Sequence, residues 1–223
     1  MNLLGGLISL VILLFSAILH EVAHGFVAER LGDPTARLAG RLTLNPKKHI
    51  DLYMSILLPL LLIISGSPII FGAAKPVPVD PFNLKEGKKD LALVSLSGPL
   101  TNIVIAILTS VVFRIFFSDH SVLEVIYGRV MLDSLPNLLL TILGVTIYLN
   151  LILAIFNLIP IPPLDGSKVF AMLLSNKQAQ AYLSISSIGI FIIFFLLLFP
   201  IGGFSLMHLV SSIVFFTLTL LGV

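Results

Sequence analysis

Long stretches of this sequence carry no Asp, Glu, Lys or Arg: residues 3–19, 52–74, 91–113, 134–164 and 178–223. A membrane-crossing helix needs about 20 mostly apolar residues, so several of these stretches are long enough to cross, the last one twice. Charged residues make up only 11% of the chain, against about a quarter in soluble domains, which excludes a water-soluble fold with a charged shell. The expected fold is all-α: a polytopic membrane protein of five to six transmembrane helices surrounded by the lipid bilayer. It is expected to form one membrane-embedded domain over residues 1–223.

Only Met1 and Asn2 precede the first stretch, and Ser16-Ala17-Ile18-Leu19 makes a poor cleavage site. A secretory signal needs a basic start and a small-residue cleavage site, so this stretch is expected to stay as a membrane helix. Cysteine is absent, which removes disulfides and thiolate metal ligands. The net charge is only +2, with no dense basic run or aromatic–basic pattern, so no nucleic acid partner is expected. The basic residues bear on orientation instead. Arg30, Arg37, Arg41, Lys47 and Lys48 separate the first two apolar stretches, and Lys75, Lys85, Lys88 and Lys89 the next two. Loops of this kind stay on the cytoplasmic side.

Residues 3–31 read as one long helix stopped by the turn signal Gly32-Asp33-Pro34. Residues 37–45 (RLAGRLTLN) suit a short strand or an irregular membrane-surface loop. Residues 75–81 (KPVPVDP) hold three prolines, which allow only an edge strand or an extended segment. Residues 115–136 form a polar connection. Pro200-Ile201-Gly202-Gly203 splits the last stretch into a helical hairpin over about residues 181–222.

His20-Glu21-Val22-Ala23-His24 is the sharpest chemical feature. On a helix, positions i and i+4 share one face about 6 Å apart along the axis, so both imidazoles reach one metal ion. Zinc held by two histidines takes one further protein ligand and leaves a position open to water. The metal lowers that water's pKa towards 7, and Glu21 can take the proton without itself binding the metal. The plainer alternative is a polar cluster buried for helix packing. A charged residue costs about 2.5–3.5 kcal/mol at the centre of a membrane helix, and a bound ion compensates three ionisable groups within five residues. One zinc ion per chain is expected.

Asp165 is a candidate third ligand, following the proline-broken run Asn157-Leu158-Ile159-Pro160-Ile161-Pro162-Pro163-Leu164. The prolines unwind the helix, and irregular backbone at membrane depth is tolerated only inside protein or along a wet cavity. Read from the residues alone, Asp165 is equally a cap for the helix expected over residues 167–174.

HEVAHG (residues 20–25), SGPLTN (97–102) and NLIPIPPLDG (157–166), in this order, resemble the site-2 protease family of intramembrane metalloproteases. The resemblance covers about residues 5–175. GRLTLNP (40–46), HID (49–51) and AKPVPVDPFN (74–83) resemble a compact prokaryotic branch without the PDZ or CBS domains some members carry. It implies a zinc-dependent endopeptidase of the prokaryotic cell membrane that cuts transmembrane protein substrates. His20, His24 and Asp165 would be the zinc ligands and Glu21 the general base. Ser97-Gly98-Pro99 would start a helix. Asn157 and Asn102 would hold the substrate backbone or the developing oxyanion, as side-chain amides can; their plainer role is an interhelical hydrogen bond. Residues 37–45 and 75–81 offer edges to which an unwound substrate adds as a strand.

Two rival readings are a metal or proton transporter and an inactive relative that only binds membrane helices. A transporter spreads ionisable residues along a path, whereas here they gather in two motifs. An inactive relative has no need of Glu21. His49 and Asp51 are expected to be solvated at the interface, and His208 to be packed or to bridge helices. For one ion to meet His20, His24 and Asp165, the first helix and the helix before Asp165 must run the same way. An odd number of crossings must then separate them. Residues 52–74 are therefore expected to form a re-entrant or interfacial hairpin, and residues 91–113 the single crossing. The site would lie nearer the cytoplasmic face.

Overall fold

A computed structural model of the protein describes residues 3–65, 72, 74–203 and 205–223. Three helices in it are long and apolar enough to cross a membrane: α1 (Leu3–Arg30), α4 (Lys88–Phe116) and α6 (Leu135–Asn157). Between α1 and α4 lie the single turn α2 (Thr35–Leu38) and the apolar helix α3 (Leu52–Ile64). After α4 come α5 (Val122–Ile126), α6, α7 (Asp165–Met172), α8 (Asn176–Leu183), α9 (Ser186–Leu198) and α10 (Leu206–Leu221). α8 and α9 meet at a 61° bend and, taken as one broken span, raise the number of candidate spans to four.

In lipid, helix association cannot rely on hiding apolar surface, so small and polar residues mark the interfaces. The buried face of α1 is Gly5, Ser9, Leu13, Ser16, His20, His24 and Ala28, spaced three or four residues apart. The buried face of α4 runs Ser95, Gly98, Asn102, Ala106, Ser110 and Phe113 with the same spacing. Phe15, Val104, Leu108 and Val111, on the opposite faces, are exposed. This inside-out polarity, apolar outward and polar inward, suits a bilayer. Among the described residues, exposed Phe191, Phe195 and Phe216 continue it on α9 and α10.

α1, α4 and α6 pack against one another. His20 pairs with Asn102, and His24 with Val94, so α4 runs against α1. Asn102 meets Asn150 midway along α6, and Lys88 at the start of α4 meets Leu174 beyond the end of α6. α4 therefore runs against α6 as well, and α1 and α6 run the same way. Among the described residues, α4 is the one helix between them that passes as a full span. α3 reaches only about 20 Å at ~1.5 Å per residue, short of a hydrocarbon core of about 30 Å. Residues 66–71 and 73, where the return arm of the expected hairpin falls, lie outside the described residues.

The expected edge strands do not form among the described residues. Residues 37–45 begin in α2 and turn at Gly40, whose φ of 63° is the left-handed region that suits glycine. Residues 74–80 form neither helix nor strand, and Pro76 and Pro78 have no N–H to give a ladder. Pro99 lies inside α4 instead of opening a helix, since α4 already starts at Lys88. His208 is exposed on α10 and, among the described residues, bridges no helices.

Candidate metal centre and its surroundings

α1 turns His20 and His24 onto one buried face, their rings edge to face with centroids 4.6 Å apart. The proline-broken turn after α6 brings Asp165 to the start of α7, opposite the two rings. Both Nε2 atoms lie 3.1 Å from Asp165 Oδ2, and one ligand atom from each residue falls within 4.8 Å of the other two. Asp165 makes no cap bond to its own helix; its second oxygen accepts a hydrogen bond from Lys168 Nζ at 3.2 Å.

Each histidine is also held from behind. His20 Nδ1 donates to Asn102 Oδ1 at 2.6 Å, and His24 Nδ1 donates to the Val94 carbonyl at 2.7 Å. Both acceptors are oxygens with no proton to give, so both rings carry hydrogen on Nδ1 and turn the Nε2 lone pair towards Asp165. Partners of this kind are what metal-binding histidines need. Gly98 of α4 lies directly under the pair: a Cβ there would come within 2.6 Å of His20 Nε2 and of both Cε1 atoms. Donors around a tetrahedral zinc with bonds of ~2.0–2.1 Å stand roughly 3.3 Å apart. Two imidazoles and a carboxylate at 3.1 Å, over a hollow only glycine leaves open, fit such an ion.

Glu21 is half-buried, and its Oε2 accepts the Val77 N–H at 2.8 Å. Val77 belongs to the segment 74–80, which is pinned on both sides of this contact. Lys75 N donates to the His49 carbonyl at 2.7 Å, and Arg41 donates to the Lys75 carbonyl at 2.6 Å. At the other end, Asp80 N donates to Asp33 Oδ2 at 2.7 Å. Gly25 lets this strap lie close, since a Cβ there would be 2.8 Å from Val77, Ala36 and Leu42 side-chain atoms. Asp33 is fully buried; its Oδ1 also accepts from Asn83 Nδ2 at 3.0 Å and from the Thr35 hydroxyl and N–H. Burial would raise the Asp33 pKa, but these donors outweigh it and hold the carboxyl below its usual value.

The other sequence candidates are placed differently. Asn102 is fully buried with both ends of its amide committed, the oxygen to His20 and the nitrogen to Asn150, which puts it behind the site. Asn157 is half-buried at the end of α6 and donates to Leu153 O at 2.9 Å. It makes no hydrogen bond to the His20–His24–Asp165 group. His49 is fully buried instead of solvated: the loop folds over it, and Nε2 donates to Thr43 O at 2.7 Å. Asp51 caps α3 by accepting from the N–H groups of Tyr53 and Met54. Gly98, Lys168 and Asn150 were not singled out as site residues from sequence.

Residues 8–200 match the sequence profile of peptidase family M50. The chain is 34% identical over 200 residues to "Putative zinc metalloprotease YwhC" of Bacillus subtilis, covering 90% of this chain and 84% of that protein. It is 33% identical over 153 residues to "Putative zinc metalloprotease Rip2" of Mycobacterium tuberculosis, covering 69% of this chain and 52% of that protein. The Rip2 of Mycolicibacterium smegmatis is 30% identical over 187 residues, 84% of this chain and 65% of its own length. This chain thus spans about half the length of the M. tuberculosis relative. No solved structure matches it significantly.

Proposed function

Since the chain belongs to peptidase family M50, we propose that it is a zinc-dependent endopeptidase cutting other membrane proteins within or beside their transmembrane segments. The observation that carries this reading is the buried convergence of His20, His24 and Asp165 in a chain built of membrane-length helices. These three residues would hold one zinc ion. When bound, zinc supplies a Lewis acid for the scissile carbonyl and for water. Glu21, one residue along α1 from His20, takes the proton from the attacking water and returns it to the leaving amine. Asn157 steadies the substrate backbone, while Asn102 serves His20.

A transmembrane helix hides its amides, so the substrate must unwind before attack. The strap at residues 74–80 offers the unwound segment carbonyl acceptors, those of Pro76 and Pro78 among them, in place of a full strand edge. We assign α1, α4, α6, the α8–α9 pair and α10 as five crossings, with residues 52–74 entering and leaving by one face. We read that face, and the site with it, as cytoplasmic, a reading that the basic loops between α1 and α4 support.

The test is cleavage of a model transmembrane substrate by the purified chain. Cleavage that is lost with a zinc chelator, restored by zinc and absent in Glu21→Gln supports the reading. Cleavage indifferent to both would overturn it.

A further inference from the structure

Three buried polar side chains, one from each long helix, form a chain of hydrogen bonds ending on His20. Asn150 of α6 donates through Nδ2 to Ser16 Oγ of α1 at 2.9 Å and to the Thr146 carbonyl of its own helix at 2.8 Å. Its Oδ1 accepts from Asn102 Nδ2 at 2.8 Å, and Asn102 Oδ1 accepts from His20 Nδ1 at 2.6 Å. Asn150 and Asn102 are fully buried and Ser16 nearly so.

The two ends of an asparagine amide are alike in size, so its orientation is set by its partners. The Thr146 carbonyl can only accept, which obliges Asn150 to face it with NH2. Asn150 must then show oxygen to Asn102, Asn102 must show oxygen to His20, and His20 must carry its hydrogen on Nδ1. A polarity fixed by one backbone carbonyl on α6 is thus passed through two amides to α1. It leaves Nε2 of His20 as an open lone pair facing Asp165.

We infer that Asn150 is a positioning residue for the metal centre: it fixes the amide orientation of Asn102 and through it the tautomer with which His20 meets the ion. This rests on the zinc reading above. It also accounts for a fully buried amide at Asn150 within α6.

The test measures zinc affinity in detergent by competition with a fluorescent chelator, for the wild-type chain and four variants. Asn150→Leu and Asn102→Leu are each expected to bind zinc about 10- to 100-fold more weakly, the usual effect of removing an outer partner of a ligand. The double variant is expected to bind no more weakly than Asn102→Leu alone, because Asn150 acts through Asn102. Asn150→Asp, buried as the neutral acid, donates its O–H to the Thr146 carbonyl, still shows Asn102 an oxygen and is expected to hold zinc as the wild-type chain does. Should Asn150→Leu not fold, Asn150→Ser adds no volume, withdraws the oxygen from Asn102 and carries the same expectation. The inference is overturned if Asn150→Leu or its serine substitute keeps wild-type affinity, if the two losses multiply, or if Asn150→Asp fails like the leucine variant. A wild-type chain that binds no zinc would instead sink the metal reading itself.

Discussion

Gly98→Ala adds a single methyl group under the metal centre, and its effect can be worked from the geometry. The new Cβ would stand 2.6 Å from His20 Nε2 and from the Cε1 atoms of His20 and His24. An ordinary contact needs about 3.4 Å or more, so each ring must retreat by roughly 0.8 Å. Neither ring has room behind it: His20 is already 2.6 Å from Asn102 Oδ1, and His24 is 2.7 Å from Val94 O. A metal site tolerates about 0.2 Å in ligand position, so the displacement spoils the donor set. Overpacking of this kind costs about 1–3 kcal/mol of fold stability, and a donor set disturbed from outside binds zinc about 10- to 100-fold more weakly. The assay is chelator competition, with thermal melting in the presence and absence of zinc. Zinc is expected to raise the melting temperature of the wild-type chain clearly more than that of Gly98→Ala. Wild-type affinity and an unchanged zinc-induced shift in Gly98→Ala would refute the placement of the ion above Gly98.

Glu21→Gln keeps shape but cannot take a proton; near-normal zinc content with at least about a hundredfold loss of cleavage is expected, read by elemental mass spectrometry and peptide release. Asp33→Asn turns an NH2 against one of the donors that Asp33 accepts, and is expected to cost about 1–3 kcal/mol of stability. Because the folded-state pKa of Asp33 is depressed, its contribution is present above the ordinary aspartate value and lost as pH falls through the folded one. Denaturation at pH 7 and near pH 3 should therefore show the gap between wild type and Asp33→Asn shrinking in acid. Leu38 and Lys89 are both exposed, and in a chain without cysteine Leu38→Cys and Lys89→Cys are expected to be labelled from the same face of a sealed vesicle. Labelling from opposite faces would remove the hairpin at residues 52–74.

The parts of this arrangement that could be read in advance are those set by local spacing. Residues 3–31 gave a long helix, and the i, i+4 histidines share a face because helix geometry alone puts them there. The break at residues 200–203 also falls between α9 and α10. Asp165 stands 141 residues beyond His24, so local spacing leaves it equally a ligand or a cap, and the structure gives it no capping bond. The prolines of the 75–81 segment excluded a central strand, but that Val77 would meet Glu21 depends on anchors at Asp33, Arg41 and His49, which no short window contains. His49 looked solvated because its neighbours in sequence are basic; its burial follows from the loop folding over it. From sequence, the amide of Asn150 signals only some interhelical hydrogen bond. Its partners come from α1 and α4, and their convergence is a property of the packed helices.

The most direct test of intramembrane action is to map the bond that is cut. The purified chain, reconstituted in lipid vesicles with zinc, is given a substrate that has one transmembrane segment between soluble tags, and the products are sized by mass spectrometry. New ends lying within the apolar segment or at its edge, absent with Glu21→Gln, are the expected result. Cuts confined to the soluble tags, with the transmembrane segment left whole, would contradict it.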